Sequence, residues 1–444
     1  MLLGVAQSRV KEKDLTEDSL QALVSREPEN PSHWFGLGAL AAKNNQLDLA
    51  KGYFDEGIKV SDNTAKAILN VGNTLISLGK TRAALTYLMP NLAHLELENM
   101  DQLQAALEKE KLYSAQLLVL RNWGLRTTTY QTVNRRAAIL AFRLGELPVC
   151  VNILSRFFEQ VDFEGARNLL LINFFQSGTL DPKIPTYFEK HFPQGEINAL
   201  VHLNLARQGK FREVKDYFKH EVNSPSYRDY YYLMMALEAA ATDHNEEAVE
   251  NFTKAQEFAT WDRLRVVIDA ELYRFYASTG NKFKADQTWD NLKEQYQDKD
   301  PDLQEFMGMQ LQIAGYEKQS KYFYRVVLRR KPGNVTALQT LYDDLMSNED
   351  YQVITDNLKF ALEKDPLSCE ANQIAMNFHF HQKNDKEILP YARNSTVYCF
   401  DVVEPYYILG NTLMNLSKPD EARASFATYV RKGGDLNKVP MSLR

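Results

Sequence analysis

PDLQEFMGMQLQIAGYEKQSKYFYRVVLRRKPGN, residues 301–334, is the stretch from which the fold can be read. The same 34-residue beat restarts at Val335, Cys369 and Val403 with no insertion between the four copies. Slot 8 holds Gly308, Tyr342, Met376 and Gly410, and slot 24 holds Tyr324, Leu358, Ala392 and Phe426. Pro332 and Pro366 fall at slot 32 of the first two copies. Small and large apolar residues at fixed slots of so long a period predict stacked helical hairpins rather than one closed globule, because each unit buries its apolar face only against its neighbours.

Upstream, Trp34, Leu37, Gly38, Ala50 and Phe54 occupy slots 4, 7, 8, 20 and 24 of a copy opening at Pro31. The copy opening at Ala65 supplies Ile68, Val71, Gly72, Gly79, Ala84 and Leu88 at slots 4, 7, 8, 15, 20 and 24. More divergent copies open at Gln131, near Glu164 and near Gly195, and stronger ones at Asp229 (Tyr232, Ala236, Ala248, Phe252) and Val266 (Tyr273, Gly280, Ala285, Trp289).

This pattern resembles the tetratricopeptide repeat family, in which W-x2-L-G-x2-Y is followed by small residues near slots 20 and 27 and often by Pro at 32. The resemblance implies an all-α, tetratricopeptide-like helical-hairpin solenoid, a right-handed superhelix of about a dozen repeats. The expected organisation is 1–98 as N-terminal repeats (the first partial), 99–130 as a degenerate repeat or joint, 131–300 as central divergent repeats, 301–436 as regular repeats and 437–444 as a tail. Small residues at slots 8 and 20 let the two helices of a hairpin approach closely, and Gly at slot 15 ends the first helix. Pro390, inside an expected second helix, predicts a kink or a delayed start, whereas Pro148 and Pro419 suit the first helical turn. Gly433-Gly434 predicts the stop of the last helix and a short extended end, leaving a terminal apolar face to pack on another chain.

At 444 residues the chain exceeds the size at which one core keeps growing, which a solenoid tolerates. Hydrophobic content of 44% and charged content of 25% are ordinary for folded proteins. A net charge of −6 argues against generic nucleic-acid binding. Three cysteines, Cys150, Cys369 and Cys399, are too few for a disulfide framework and predict reduced thiols and a cytoplasmic location. No run of 18 apolar residues predicts a membrane span. Met1 falls inside the first helix of a repeat, so an upstream segment carrying a signal can precede it.

The family places slots 2, 5, 9, 12 and 13 of each first helix in a concave groove. Carried onto the last four copies, that rule selects Asp302, Glu305, Gln339, Asp343, Glu370, Gln373, Asn377, Glu404, Tyr407 and Asn411. Asn and Gln can hold an extended peptide backbone, and the carboxylates favour basic residues on it. Between Leu112 and Gly145 there is no acidic residue, while Arg121, Arg126, Arg135, Arg136 and Arg143 form an arginine cluster suited to an anion or to pairing with neighbouring carboxylates. The carboxylate clamp of chaperone-binding members is incomplete, since Phe35 and Ala39 stand where Lys and Asn belong.

No phosphate loop, HExxH, CxxC or nucleophile elbow occurs, so neither enzyme chemistry, metal nor cofactor is expected. His379 takes core slot 11, and Tyr230 has a packing reading and a groove-facing one. The leading expectation is a non-enzymatic adaptor that holds a peptide or protein in its groove, with homo-oligomerisation through terminal repeats open. The alternatives are a structural or regulatory subunit of a larger enzyme, secretion or polysaccharide assembly, and a sensor of a small anionic or peptide ligand.

Overall fold

The computed structural model describes residues 16–126, 131–144, 149–150, 152–153, 193–223, 225–399 and 402–443. Among them the regular structure is entirely helical, 22 α-helices paired as successive hairpins together with short 3₁₀ turns. The fold is therefore all-α and of the tetratricopeptide-like helical-hairpin kind. The expected copy near Glu164, Pro148, Tyr130 and the first fifteen residues lie outside the described residues.

Each hairpin follows from three local rules. Helices start where the last slot of the preceding copy offers a cap: Asn30, Asn334 and Ser368 accept from the backbone N–H of Ser32, Ala337 and Ala371. Such caps contribute about 1 kcal/mol each. The first helix ends when slot 15 turns left-handed, as at Asn45, Gly79, Asp243, Gly315, Glu349, Lys383 and Ser417. The following N–H then returns to the carbonyl of slot 11, for example Tyr316 to Leu311 at 2.9 Å and Asp350 to Leu345 at 2.8 Å. This pair of features is a Schellman stop.

The third rule is the contact between slots 8 and 24. A Cβ built on Gly38 would lie 2.5 Å from the Phe54 ring, one on Gly72 2.3 Å from Leu88, and one on Gly410 2.7 Å from Phe426. Gly308 faces Tyr324 in the same way, at 3.3 Å. In the copy from Cys369 the sizes are exchanged: Met376 at slot 8 and Ala392 at slot 24 share one buried cluster. Phe54, Phe252 and Phe426 are each only 1% exposed, so this contact carries much of the core. Trp34 and Tyr232 are half-buried, Trp34 donating to the Pro28 carbonyl and Tyr232 stacking on Phe258.

Several expectations are corrected. Within the stretch expected as a degenerate repeat or joint, helices Leu97–Lys109 and Tyr113–Arg126 form a hairpin, with Lys111 in the left-handed turn. Leu103, Leu107, Leu112 and Val119 are fully buried and fill the core of this hairpin. The helix expected from Val266 begins earlier, at Asp262, and runs to Ser278. Pro390 lies inside helix Asp385–Tyr398 and does not delay its start. Pro419 opens helix Pro419–Arg431 as expected. The tail is not extended; it forms 3₁₀ turns at Leu436–Lys438 and Met441–Leu443, and Val439 joins the last hairpin's core at 2% exposure. That burial covers part of the face expected to seek another chain.

The chain divides into two compact units, Met1–Val133 with Asp365–Arg444, and Asn134–Lys364. The four regular copies are thus divided after Lys364. Within the first unit, Asp365 caps a helix 251 residues away in sequence: its Oδ2 accepts from Ser114 N at 2.9 Å and Ser114 Oγ at 2.5 Å. Its Oδ1 accepts from Leu367 N at 3.1 Å. Burial pushes the Asp365 carboxyl up, against the pull of these hydrogen bonds. Nearby, Cys369 and Cys399 are bonded to each other, which corrects the expectation of reduced thiols. The bond joins the start of helix Cys369–His381 to the end of its partner, Asp385–Tyr398. Cys150 is buried and free, its thiol pushed up to about 12 by burial.

Two outcomes are expected from this architecture. Gly410→Ala should lower stability by about 1–3 kcal/mol in a denaturant melt, and a second change, Phe426→Leu, should recover part of it. Reduction of the Cys369–Cys399 bond should lower the melting temperature, since a loop of 30 residues contributes about 3–4 kcal/mol. Cys399→Ser should melt at the lower temperature with or without reductant.

Candidate functional site

The second unit contains a cavity of about 260 Å³ among the ends of helices Gln194–Arg207, Arg228–Ala241 and Asp262–Ser278. Its charged lining is Arg207, Glu271 and Arg274. Glu271, 5% exposed, is held from both sides: Arg207 Nε donates to Oε1 at 3.1 Å and Arg274 Nε donates to Oε2 at 2.6 Å. Arg207 is fixed further by Nη2, which donates to Gln310 Oε1 at 3.2 Å. Its side chain is 15% exposed, whereas that of Arg274 is 43% exposed. Phe211, Leu237, Phe252 and Phe275 provide the apolar part of the wall.

Helix registry explains why these residues meet. Counted from Gly195, Asp229 and Val266, Arg207 is slot 13, Leu237 slot 9, Ala240 slot 12, Arg274 slot 9 and Ser278 slot 13. All are slots the family turns inward, and all five line the cavity. The same inward-slot rule applied to the central copies points to them, but none belongs to the last four copies or to the run between Leu112 and Gly145. Glu271 gave no such signal, because its value lies in a contact with an arginine 64 residues away.

The sequence-selected groove residues fall in both units. In the second unit, Gln339 and Asp343 are exposed. Asp302 pairs with Lys331 at 2.7 Å and Glu305 accepts from Asn334 Nδ2 at 2.7 Å, so both are engaged by the next turn of chain. In the first unit, Asn377 and Glu404 are exposed, while Glu370, Gln373 and Asn411 are half-buried. Gln373 Nε2 lies 3.1 Å from Cys369 Sγ. Tyr407 packs on Phe426 and Tyr429, with Lys438 Nζ 5.7 Å above its ring.

The arginines divide likewise. Arg121 and Arg126 belong to the first unit, where Arg126 Nη1 donates to the Leu95 carbonyl. Arg135, Arg136 and Arg143 are exposed on helix Gln131–Leu144 of the second. Tyr230 takes the packing role, 4% exposed with its hydroxyl donating to Glu196 Oε1 at 3.2 Å. His379 stacks in parallel on Tyr391 at 5.6 Å, and burial holds its imidazole below the usual range. Among the described residues no group of three or more His, Cys, Asp and Glu is placed to hold a metal ion. No described helix is long and apolar enough to cross a membrane.

No protein-family model matches the sequence, and no curated protein does. Two solved structures are similar in a coarse sense. One is a structure of Naa15/Naa10 bound to HypK-THB, 9% identical over 96% of this chain and 67% of that one, with a TM-score of 0.27. The other is the APC/C hetero-tetramer Cut9-Hcn1, 11% identical over 95% of this chain and 91% of that one, also at 0.27. At that degree of superposition neither bears on function, and the hairpin assignment rests on the chain's own geometry.

Glu271→Gln should leave two guanidinium groups facing a neutral amide and lower stability by about 3–5 kcal/mol in a urea melt. Arg274→Gln keeps the Arg207–Glu271 pair intact and should lower it by less.

Proposed function

We propose that the chain is a non-enzymatic scaffold whose units each hold an extended segment of a protein partner along the first helices of their hairpins. The observation that carries this reading is the separation of slots. In the last copies, slots 4, 7, 8 and 11 are buried or half-buried against neighbouring helices, whereas Gln339, Asp343, Asn377 and Glu404 stand exposed on the same helices. Exposed Asn, Gln and carboxylate side chains suit backbone hydrogen bonds and basic side chains on the partner, and Phe380, 40% exposed on the helix of Asn377, adds an apolar contact. Asp302 and Glu305 have a smaller part in this reading, because Lys331 and Asn334 already answer them.

The Cys369–Cys399 bond bears on where the protein works. Such a bond persists in an oxidising compartment, which weighs against the cytoplasmic location expected from the cysteine count. The alternative of a structural subunit has no observation of its own in its favour. The reading as a sensor of a small anion draws support from the Arg207–Glu271–Arg274 cavity rather than from the exposed arginines of helix Gln131–Leu144.

An immobilised library of 12-residue peptides tests the scaffold reading. The chain should enrich Lys- and Arg-containing extended peptides, and Asp343→Ala, Asn377→Ala and Glu404→Ala together should remove that enrichment without changing helicity. Equal capture of acidic and basic peptides, or enrichment unchanged in the triple variant, would exclude it.

A further inference from the structure

Arg274 is the residue of the central cavity whose hydrogen-bonding capacity is left over. Its Nε is held by Glu271, and its side chain makes no other hydrogen bond to a described residue. Arg207, by contrast, is committed to Glu271 and Gln310. Arginine presents five donors in a planar fork, so the terminal nitrogens of Arg274 remain able to grip a carboxylate edge-on. The Glu271 salt bridge fixes the plane of that fork in advance, which lowers the ordering needed on binding.

We infer that this cavity binds a small monocarboxylic acid with a branched aliphatic or aromatic body, a site separate from the exposed polar slots proposed to hold a protein segment. Three features select that class. The terminal nitrogens of Arg274 form one planar fork, which a single carboxylate matches edge-on. The cavity also takes in the C-terminal ends of three helices, at Arg207, Ala241 and Ser278, whose carbonyls repel a dianion more strongly than a monoanion. The remaining wall, including Phe211, Leu237 and Phe275, is apolar and rewards a hydrocarbon body. A volume of about 260 Å³ sits just below the roughly 300–1,000 Å³ of drug-sized sites, so the body is small.

Saturation-transfer NMR and calorimetry on the full chain, with 3-methylbutanoate and benzoate as probes, test the assignment. Both acids should bind, 3-methylbutanamide and inorganic phosphate should bind at least tenfold more weakly, and Arg274→Gln should weaken the acids at least tenfold. A melting curve for Arg274→Gln separates lost binding from lost folding. If that variant does not fold, Leu237→Trp, which fills the apolar wall, takes its place and should abolish binding of both acids. The triple variant Asp343→Ala, Asn377→Ala and Glu404→Ala should bind the acids as the parent does, so failure of the scaffold reading and failure of this one are distinguished. Equal binding of acid and amide, unchanged binding by Arg274→Gln, or no transfer signal at millimolar acid would overturn the assignment.

Discussion

Slot 8 against slot 24 is the contact on which the hairpins depend. When Gly72 faces Leu88 or Gly410 faces Phe426, the two helices approach until a single added carbon would overlap a side chain. Interiors packed to crystal-like density tolerate neither a void nor an intrusion at such a point. The same space can be filled from the other side, as Met376 with Ala392 shows. In the last copies that packing leaves Gln339, Asp343, Asn377 and Glu404 exposed, whereas in the copy from Asp229 Tyr230 and Leu237, at slots 2 and 9, are buried.

The left-handed residue at slot 15 is the second constraint, and it explains how far the repeat is legible in sequence. Glycine marks it at Gly79, Gly209, Gly280 and Gly315, but Asn45, Lys111, Asp243, Glu349, Lys383 and Ser417 adopt the same positive φ. The Schellman hydrogen bonds and the burial of both flanking helices together outweigh the steric penalty of roughly 1–2 kcal/mol for a side chain there. A reader of sequence who relies on glycine therefore loses the beat at Lys111. The hairpin Leu97–Lys109 and Tyr113–Arg126 hides behind leucines that fill the core without the aromatic that marks other copies. Periodicity locates packing residues well because packing is local.

Interactions between distant hairpins follow no such rule. Asp365 reaches Ser114 across 251 residues, a contact that no repeat spacing encodes. Its carboxylate supplies the cap that helix Tyr113–Arg126 lacks locally, with Leu112 rather than a hydroxyl or amide residue just before it. Cys369 and Cys399 were legible as two cysteines, but their pairing depends on the two ends of one hairpin returning to the same place. Val439 likewise finds the terminal core only because the tail doubles back through Leu436–Lys438. In each case the residue type was visible and the partner was not.

The candidate sites divide along the same line. Slot arithmetic selected Asn377 and Glu404 in the first unit and Gln339 and Asp343 in the second, and all four are exposed. It could not foresee that Lys331 and Asn334, lying in the turn after a second helix, would answer Asp302 and Glu305. Charge at an inward slot is thus available to a partner only if the neighbouring turn leaves it unanswered. The central arginines obey the same logic with opposite outcome. Glu271 answers both Arg207 and Arg274, yet one carboxylate cannot saturate two guanidinium groups, and its two oxygens each take a single Nε. Arg207 finds a second acceptor in Gln310, and Arg274, at the more exposed edge of the cavity, does not. A residue anchored by one nitrogen and unspent at the others is more useful for recognition than an exposed arginine such as Arg143 that has no such anchor among the described residues, because its fork must first be ordered by whatever it binds.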